Sequence, residues 1–135
     1  MARRNASLGF LGRFGRSQDL RLLDAALRAV DLHPALVPEG AKLAIVNMMK
    51  DAWPEAEPSA QAYPPVAALF GYCLVGPDLF AEANGAEAAA DAERRVEAAL
   101  DAGRGLDADL ILLALHARLI SPKVVARFDL GIEEE

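Results

Sequence analysis

Apolar residues recur along most of the chain at intervals of three and four positions, which is the spacing of an amphipathic helix. The clearest stripe consists of Leu20, Leu23, Leu27 and Val30, and charged residues occupy the opposite face. Ser17, just before it, is a favoured helix-capping residue. Pro34 disfavours a helical conformation at His33, so the pattern predicts that this first helix ends there.

A second helix is predicted to begin at Pro38, because proline suits the first turn of a helix. It ends before Pro54, and its apolar stripe consists of Leu43, Val46 and Met49. Four of the eight prolines lie between positions 54 and 65. This clustering marks the main loop of the chain.

The third predicted helix, from Pro65 to Val75, is apolar on every side, which is typical of a helix at the centre of a fold. Gly71 within it would let another helix approach closely. The dipeptide Gly76-Pro77 predicts a break, and a short helical segment follows. Asn84-Gly85, a strong turn signal, ends that segment.

Three more helices are predicted beyond that turn. The fourth covers residues 86–102, and Gly103 is suited to the left-handed position after a helix. The fifth begins after Asp107, taken as a capping residue, and reaches Ile120. The sixth opens at Ser121 and runs through Phe128.

Two of the predicted helices share a similar sequence. Residues 21–29 read RLLDAALRA and residues 94–102 read RRVEAALDA, and each segment is followed by a loop and another helix. A duplicated helical hairpin would explain the similarity. Chance resemblance between amphipathic helices rich in alanine and leucine explains it equally simply, so both interpretations stay open.

Composition supports a helical chain. The sequence has 135 residues, of which 28 are alanine and 20 leucine, against 12 valine plus isoleucine. Strong helix formers are therefore abundant and β-branched residues are scarce. We predict an all-α fold, a compact bundle of five to six helices packed as antiparallel hairpins. Residues 17–135 would form this single domain, preceded by a flexible basic arm, residues 1–16.

Charge is divided unevenly between these two parts. The net charge is −6, but residues 1–16 contain four arginines and no acid, which leaves ten basic and twenty acidic residues in the rest. An acidic domain repels phosphate backbones, so no nucleic-acid partner is expected. The longest apolar run, Val66–Val75, is too short to span a membrane. With no convincing signal peptide either, we expect a cytoplasmic protein.

No residue set typical of an enzyme emerges. Cys73 lies in the most apolar helix and should be an inert buried thiol. One cysteine and two separated histidines, His33 and His116, do not make a metal site, and no cofactor is expected. His116 is interpreted as a partly buried helix-end histidine. An unusual enzyme site would have to be built from Asp107, Asp109, Arg104 or His116, and the only convergence among them is that Arg104 and Asp107 share one loop.

Two features indicate interaction with another molecule. The arm carries Phe10, Arg13, Phe14 and Arg16, residue types that anchor interfaces. These side chains would pack on the arm's own domain, on a second subunit or on an anionic membrane surface, and plain disorder of the arm is the other interpretation. Trp53 and Tyr63 stand at either end of the proline-rich loop and would line a groove, although Trp53 is equally well explained as a side chain that covers the open end of the second and third helices.

The sequence therefore predicts a non-enzymatic interaction or regulatory domain. Its partner would be a protein or a second copy, as a homodimer, and weak contact of the arm with a membrane surface stays open. The alternative is a carrier or sensor of a small hydrophobic ligand, held between the third and fifth helices.

Overall fold

The computed structural model describes residues 18–52 and 58–130. Within these residues the chain is helical and contains no strand, which confirms the predicted helical bundle. Short 3₁₀ turns lie at Pro34–Leu36 and Ala60–Ala62. The helices are α1 (18–29), α2 (Glu39–Ala52), α3 (Tyr63–Asn84), α4 (Ala86–Ala102), α5 (Leu106–His116) and α6 (Pro122–Phe128). The basic arm, residues 1–16, lies outside the described residues, and so does the predicted cap Ser17.

Helix α1 ends earlier than predicted. Asp31 adopts the left-handed conformation at φ 67°, and the Leu32 N–H donates to the Leu27 carbonyl at 2.9 Å. A left-handed residue followed by this hydrogen bond ends a helix, and it does so without the need for a proline after it. The predicted end at His33 is therefore wrong. Instead, His33 begins the next 3₁₀ turn, where its Nδ1 accepts from the Ala35 N–H at 3.0 Å.

Helices α1 and α2 form the predicted antiparallel hairpin. Helix α2 begins at Glu39, directly after Pro38, as expected. Asp24 of α1 pairs with Lys42 of α2 at 3.0 Å, and Asp19 pairs with Lys50 at 3.0 Å. The acid nearer the start of α1 binds the lysine nearer the end of α2, so the two helices run in opposite directions.

Helix α3 is the centre of the bundle and contacts α4, α5 and α6. It begins at Tyr63, two residues before the predicted start, and its apolar side chains are buried nearly throughout up to Cys73. Gly71 permits the predicted close approach, because a Cβ there would lie 3.3 Å from Val30 Cγ2. Asn84, at the other end of α3, donates to the Val30 carbonyl at 3.0 Å. The end of α1 is thus held against α3.

By length and composition, residues Ala60–Asn84 would suffice to cross a membrane, with a mean hydropathy of 1.4 in their most apolar stretch. Half of that stretch is buried inside the bundle. Its contacts with three other helices account for the apolar sequence without a membrane.

The predicted break in α3 is confirmed at Gly76, whose φ of 92° and ψ of 168° are not helical. Pro77 follows and has no N–H to donate to the carbonyl four residues before it, which belongs to Cys73. That carbonyl accepts instead from the Ser121 N–H at 2.8 Å. The break therefore creates the point at which the chain entering α6 attaches to α3.

The remaining boundaries follow the prediction closely at α4 and α6 but not at α5. Helix α4 covers Ala86–Ala102, and Gly103 is left-handed at φ 70°. Ser121 caps α6, its Oγ accepting from the Lys123 N–H at 3.2 Å. Helix α5 ends at His116 rather than Ile120, because Arg118 turns left-handed at φ 61°.

Replacement of Gly76 by alanine should be strongly destabilising. Backbone in this conformation costs a non-glycine residue about 1–3 kcal/mol, and the new Cβ would lie 3.1 Å from Ser121 Oγ. We expect Gly76→Ala to lower the free energy of unfolding by about 3 kcal/mol, combining that strain with the contact. Denaturant titration followed by circular dichroism measures it.

Alanine substitutions at two other glycines separate the effect of backbone strain from the effect of the contact with Ser121. Gly85 has φ 100° with open space around its Cβ position, so Gly85→Ala should cost the strain alone, about 1–2 kcal/mol. Gly40 lies in α2 with neither strain nor a neighbour, so Gly40→Ala should be neutral or stabilising. Equal losses for Gly76→Ala and Gly85→Ala would show that the contact with Ser121 is unimportant.

Candidate interaction surface

Most of the residues predicted to contact a partner lie outside the described part of the chain. These are Phe10, Arg13, Phe14, Arg16 and Trp53. Tyr63 is described, and it does not line an exposed groove as predicted. Its side chain is 1% exposed, and its hydroxyl donates to Asp19 Oδ1 at 3.1 Å. The proline-rich loop therefore sends its second aromatic residue into the core rather than to the surface.

Asp19 explains this placement of Tyr63. The sequence marks Asp19 as an ordinary acid of a first helical turn, but it is buried between the Tyr63 hydroxyl and the Lys50 ammonium. A buried carboxylate needs such partners because desolvation of its charge is costly. The pairing joins residues far apart in sequence, so helical periodicity gives no sign of it.

Cys73 is a buried thiol, as predicted. Burial raises its pKa to about 12, against an ordinary value of 9.0, although the nearby Arg95 guanidinium acts in the opposite direction. The neutral thiol is a poor nucleophile. This supports a packing role for Cys73.

Of the residues considered for an unusual enzyme site, Arg104 and Asp107 line one open concavity, but His116 lies away from them. Asp107 and His116 lie at opposite ends of α5, about 14 Å apart along the helix axis. His116 is exposed at the helix end rather than partly buried, and Arg104 is exposed in the preceding loop. No group of three histidine, cysteine or acidic residues that could hold a metal ion occurs in ranges 18–52 and 58–130.

Asp107 has a different role from the predicted cap. Gly105 occupies the position before α5, and Asp107 receives two hydrogen bonds from Arg95 of α4, Nε to Oδ2 at 3.1 Å and Nη2 to Oδ1 at 2.9 Å. Arg95 also donates to the Pro65 carbonyl at 2.7 Å. One guanidinium therefore joins α3, α4 and α5, a role that no local sequence signal predicts for Arg95.

Glu93, on α4, makes a second such junction. Its Oε2 accepts a hydrogen bond from the Tyr72 hydroxyl of α3 at 3.1 Å and pairs with Arg127 of α6. Burial, together with the adjacent carboxylate, raises the pKa of Tyr72 well above its usual range. The tyrosine stays neutral at physiological pH and serves as the hydrogen-bond donor.

One exposed apolar surface of the described residues lies on α4 and α5. Leu100 is 42% exposed and Leu112 is 49% exposed. Between them is an open recess of about 190 Å³, and its lining is almost wholly aliphatic. The lining residues, which we call the α4–α5 face, are Ala99, Leu100, Gly103, Ala108, Ile111, Leu112, Leu115 and Leu130.

The similar segment in α1 shows how unusual the exposure of Leu100 is. When residues 21–29 are aligned with 94–102, Leu27 falls opposite Leu100. Five of the six preceding positions have the same degree of burial in the two helices, and three of them carry the same residue, yet Leu27 is fully buried. Leu100 thus occupies a position that is part of the core in the similar helix, and in α4 it is left uncovered.

The surroundings of the α4–α5 face are mostly acidic. Glu97 lies three positions before Leu100 and Asp109 three positions before Leu112, so each carboxylate flanks a leucine on its own helix. Exposed charged residues beside the face include Glu97, Arg104, Asp109 and Asp129. A ligand that carries both apolar and basic groups would match this surface best.

A ligand pocket between the third and fifth helices stays a prediction, and five concavities of the described residues bear on it. Helices α3 and α5 are in direct contact, and none of the five concavities has walls from both. One of these, of about 520 Å³, is an open groove lined by four alanines of α3 and α4 together with Asp91, Arg94 and Arg95. Arg94 and Arg95 beside it already pair with Asp91 and Asp107.

No family model matches the chain, and no match was found among curated proteins or among solved structures. The functional proposal therefore rests on the residues and surfaces of this chain alone.

The pairing of Arg95 with Asp107 should contribute measurably to stability. A double-mutant cycle with Arg95→Ala and Asp107→Ala should give a coupling free energy of about 1 kcal/mol, because the bidentate pair is partly shielded from water. The neighbouring pair of Arg94 and Asp91 is far more exposed, so the matched cycle should give less than about 0.5 kcal/mol. Equal coupling in the two cycles would contradict this assignment.

Cys73 should react with thiol reagents only when the chain unfolds. At pH 8 the native protein should be labelled slowly, at a rate set by unfolding, while denatured protein is labelled at once. Since its pKa is raised from 9.0 to about 12, the thiol ionises first in the unfolded chain as pH rises above 9. The free energy of unfolding should therefore fall between pH 9 and 12, and fall less in Cys73→Ala. Rapid native labelling at pH 8 would contradict this.

Proposed function

We propose that this chain is a non-enzymatic interaction domain that binds a second protein chain through the α4–α5 face, and that the partner is a second copy of itself. The observation that carries the proposal is the pair of half-exposed leucines, Leu100 and Leu112, on either side of an aliphatic recess. A homodimer about a two-fold axis would place each face against its own copy.

The energetics favour a weak, reversible dimer. Full burial of a leucine side chain contributes about 1.5–3 kcal/mol, and a two-fold dimer would bury the exposed parts of four leucines. Association itself costs at least about 4 kcal/mol in lost translational and rotational freedom. Glu97 and Asp109 add repulsion between like charges, so the homodimer should form at micromolar rather than nanomolar concentration.

Three carboxylates that take part in contacts between helices support a non-enzymatic role. Asp19, Glu93 and Asp107 are each bound to a partner on another helix. Groups held in this way position the helices and are not free to transfer protons to a substrate.

The alternative of a small-ligand carrier is less well supported. Ligand pockets usually enclose about 300–1,000 Å³, and the recess on the α4–α5 face is smaller and open to solvent. The larger groove on α4 has mostly alanine walls and no free polar group aimed into it.

The proposal predicts that self-association depends on two particular leucines. The double variant Leu100→Gln, Leu112→Gln should raise the dimer dissociation constant at least about tenfold, the change that corresponds to 1.4 kcal/mol. Sedimentation velocity over a range of concentrations measures it. Glutamine removes the apolar contact without adding charge.

The chain offers a matched control. Leu36 and Leu79 are also highly exposed, at 60% and 58%, but neither belongs to the α4–α5 face. The double variant Leu36→Gln, Leu79→Gln should leave the dissociation constant unchanged. A wild-type chain that stays monomeric at all concentrations, or equal effects of the two double variants, would overturn the homodimer.

A further inference from the structure

We propose that residues 1–16 of the same chain bind the α4–α5 face and cover it when no second copy is bound. This inference rests on the proposed function in that it concerns the same face, but it assigns an intramolecular ligand to it. The basic arm would then be a built-in competitor of the homodimer.

The size of the recess fits one aromatic ring. A dry apolar cavity of roughly 150 Å³ is sufficient to hold benzene, and the recess measures about 190 Å³. The arm supplies Phe10 and Phe14, which are two of the five phenylalanines in the chain. Leu100 and Leu112 would flank an inserted ring on either side.

The charges of the two partners are complementary. The arm contains four arginines and no acid, and Arg13 and Arg16 lie one and two positions from Phe14 in sequence. The face has the exposed carboxylates Glu97 and Asp109 beside its leucines. A second copy of the face brings acids against acids, whereas the arm brings guanidinium groups against them.

The arm has sufficient reach and a high local concentration. The described part of α1 begins at Gln18, and an extended chain covers about 3.3 Å per residue, so Phe10 can lie up to about 26 Å from Gln18 and Phe14 up to about 13 Å. A folded domain of this length has a radius of gyration of about 14 Å, so the reach of Phe10 exceeds that radius and the reach of Phe14 is about equal to it. A tethered ligand acts at a concentration of about 1 mM, well above that of a second copy in dilute solution.

The test is photocrosslinking within the intact chain. A benzophenone amino acid replaces Phe14 in the otherwise unchanged protein, which is irradiated at submicromolar concentration and digested. Mass spectrometry should find crosslinks to residues 99–115 within single chains. In the Leu100→Gln, Leu112→Gln background their yield should fall at least about tenfold. The Leu36→Gln, Leu79→Gln background should retain it.

A second variant, with the photoreactive residue at Phe10 instead of Phe14, controls for a local effect of the substitution itself. The inference would be overturned by crosslinks that map elsewhere from both positions, or by the absence of crosslinks from either position. Crosslinks found mainly in two-chain species would also overturn it, because they would show that a second copy is the true occupant.

The experiments can overturn the binding of the arm or the homodimer, each without overturning the other. Crosslinks at the face in a chain that never dimerises would support the arm and overturn the homodimer. Dimerisation that depends on Leu100 and Leu112, with no arm crosslink there, would overturn the arm and leave the homodimer standing.

Discussion

The break in α3 determines how the other helices are arranged around it. Gly76 adopts a backbone conformation that is essentially restricted to glycine, and Pro77 leaves the Cys73 carbonyl without a donor inside the helix. Ser121 satisfies that carbonyl and packs against the bare Cα of Gly76. In an unbroken helix the Cys73 carbonyl would accept from the residue four positions later and would not be free to bind the Ser121 N–H. A local defect in one helix thus fixes a contact between distant parts of the chain.

Polar contacts on the same central helix then fix its neighbours. The Tyr63 hydroxyl of α3 contacts Asp19 of α1. The Tyr72 hydroxyl and the Pro65 carbonyl contact Glu93 and Arg95, which both lie on α4. Such contacts add modest net stability but are costly to break, since they leave a shielded polar group unpaired. They therefore select one packing arrangement. Helix α5 is held in this way at its first turn through Arg95 and Asp107, and this placement leaves Leu112 facing solvent.

The sequence was sufficient to predict the features that one or two adjacent residues determine. The break at Gly76-Pro77, the turn at Asn84-Gly85 and the end of α4 at Gly103 all lie where expected. The ends of α1 and α5 were misplaced, because Asp31 and Arg118 adopt a left-handed conformation that is uncommon for residues other than glycine.

The α4–α5 face could not be predicted from the sequence, for a related reason. Leu27 and Leu100 follow the same Ala-Ala pair, and sequence alone gives them the same environment. The difference arises from which helices pack beside them, and that is decided by long-range pairs such as those of Asp19 and Arg95. Periodicity identifies apolar faces. It does not identify which of those faces the fold leaves without a partner.

The uncovered face and the uneven charge of the chain have one physical consequence in common. An aliphatic recess surrounded by carboxylates attracts a basic, apolar segment and partly repels an identical surface. Ionic strength weakens both the attraction and the repulsion, because each acts between charges near solvent. The apolar contribution to either complex persists when the charges are screened. As salt rises, the balance between the two proposed occupants should therefore move from the arm toward the second copy.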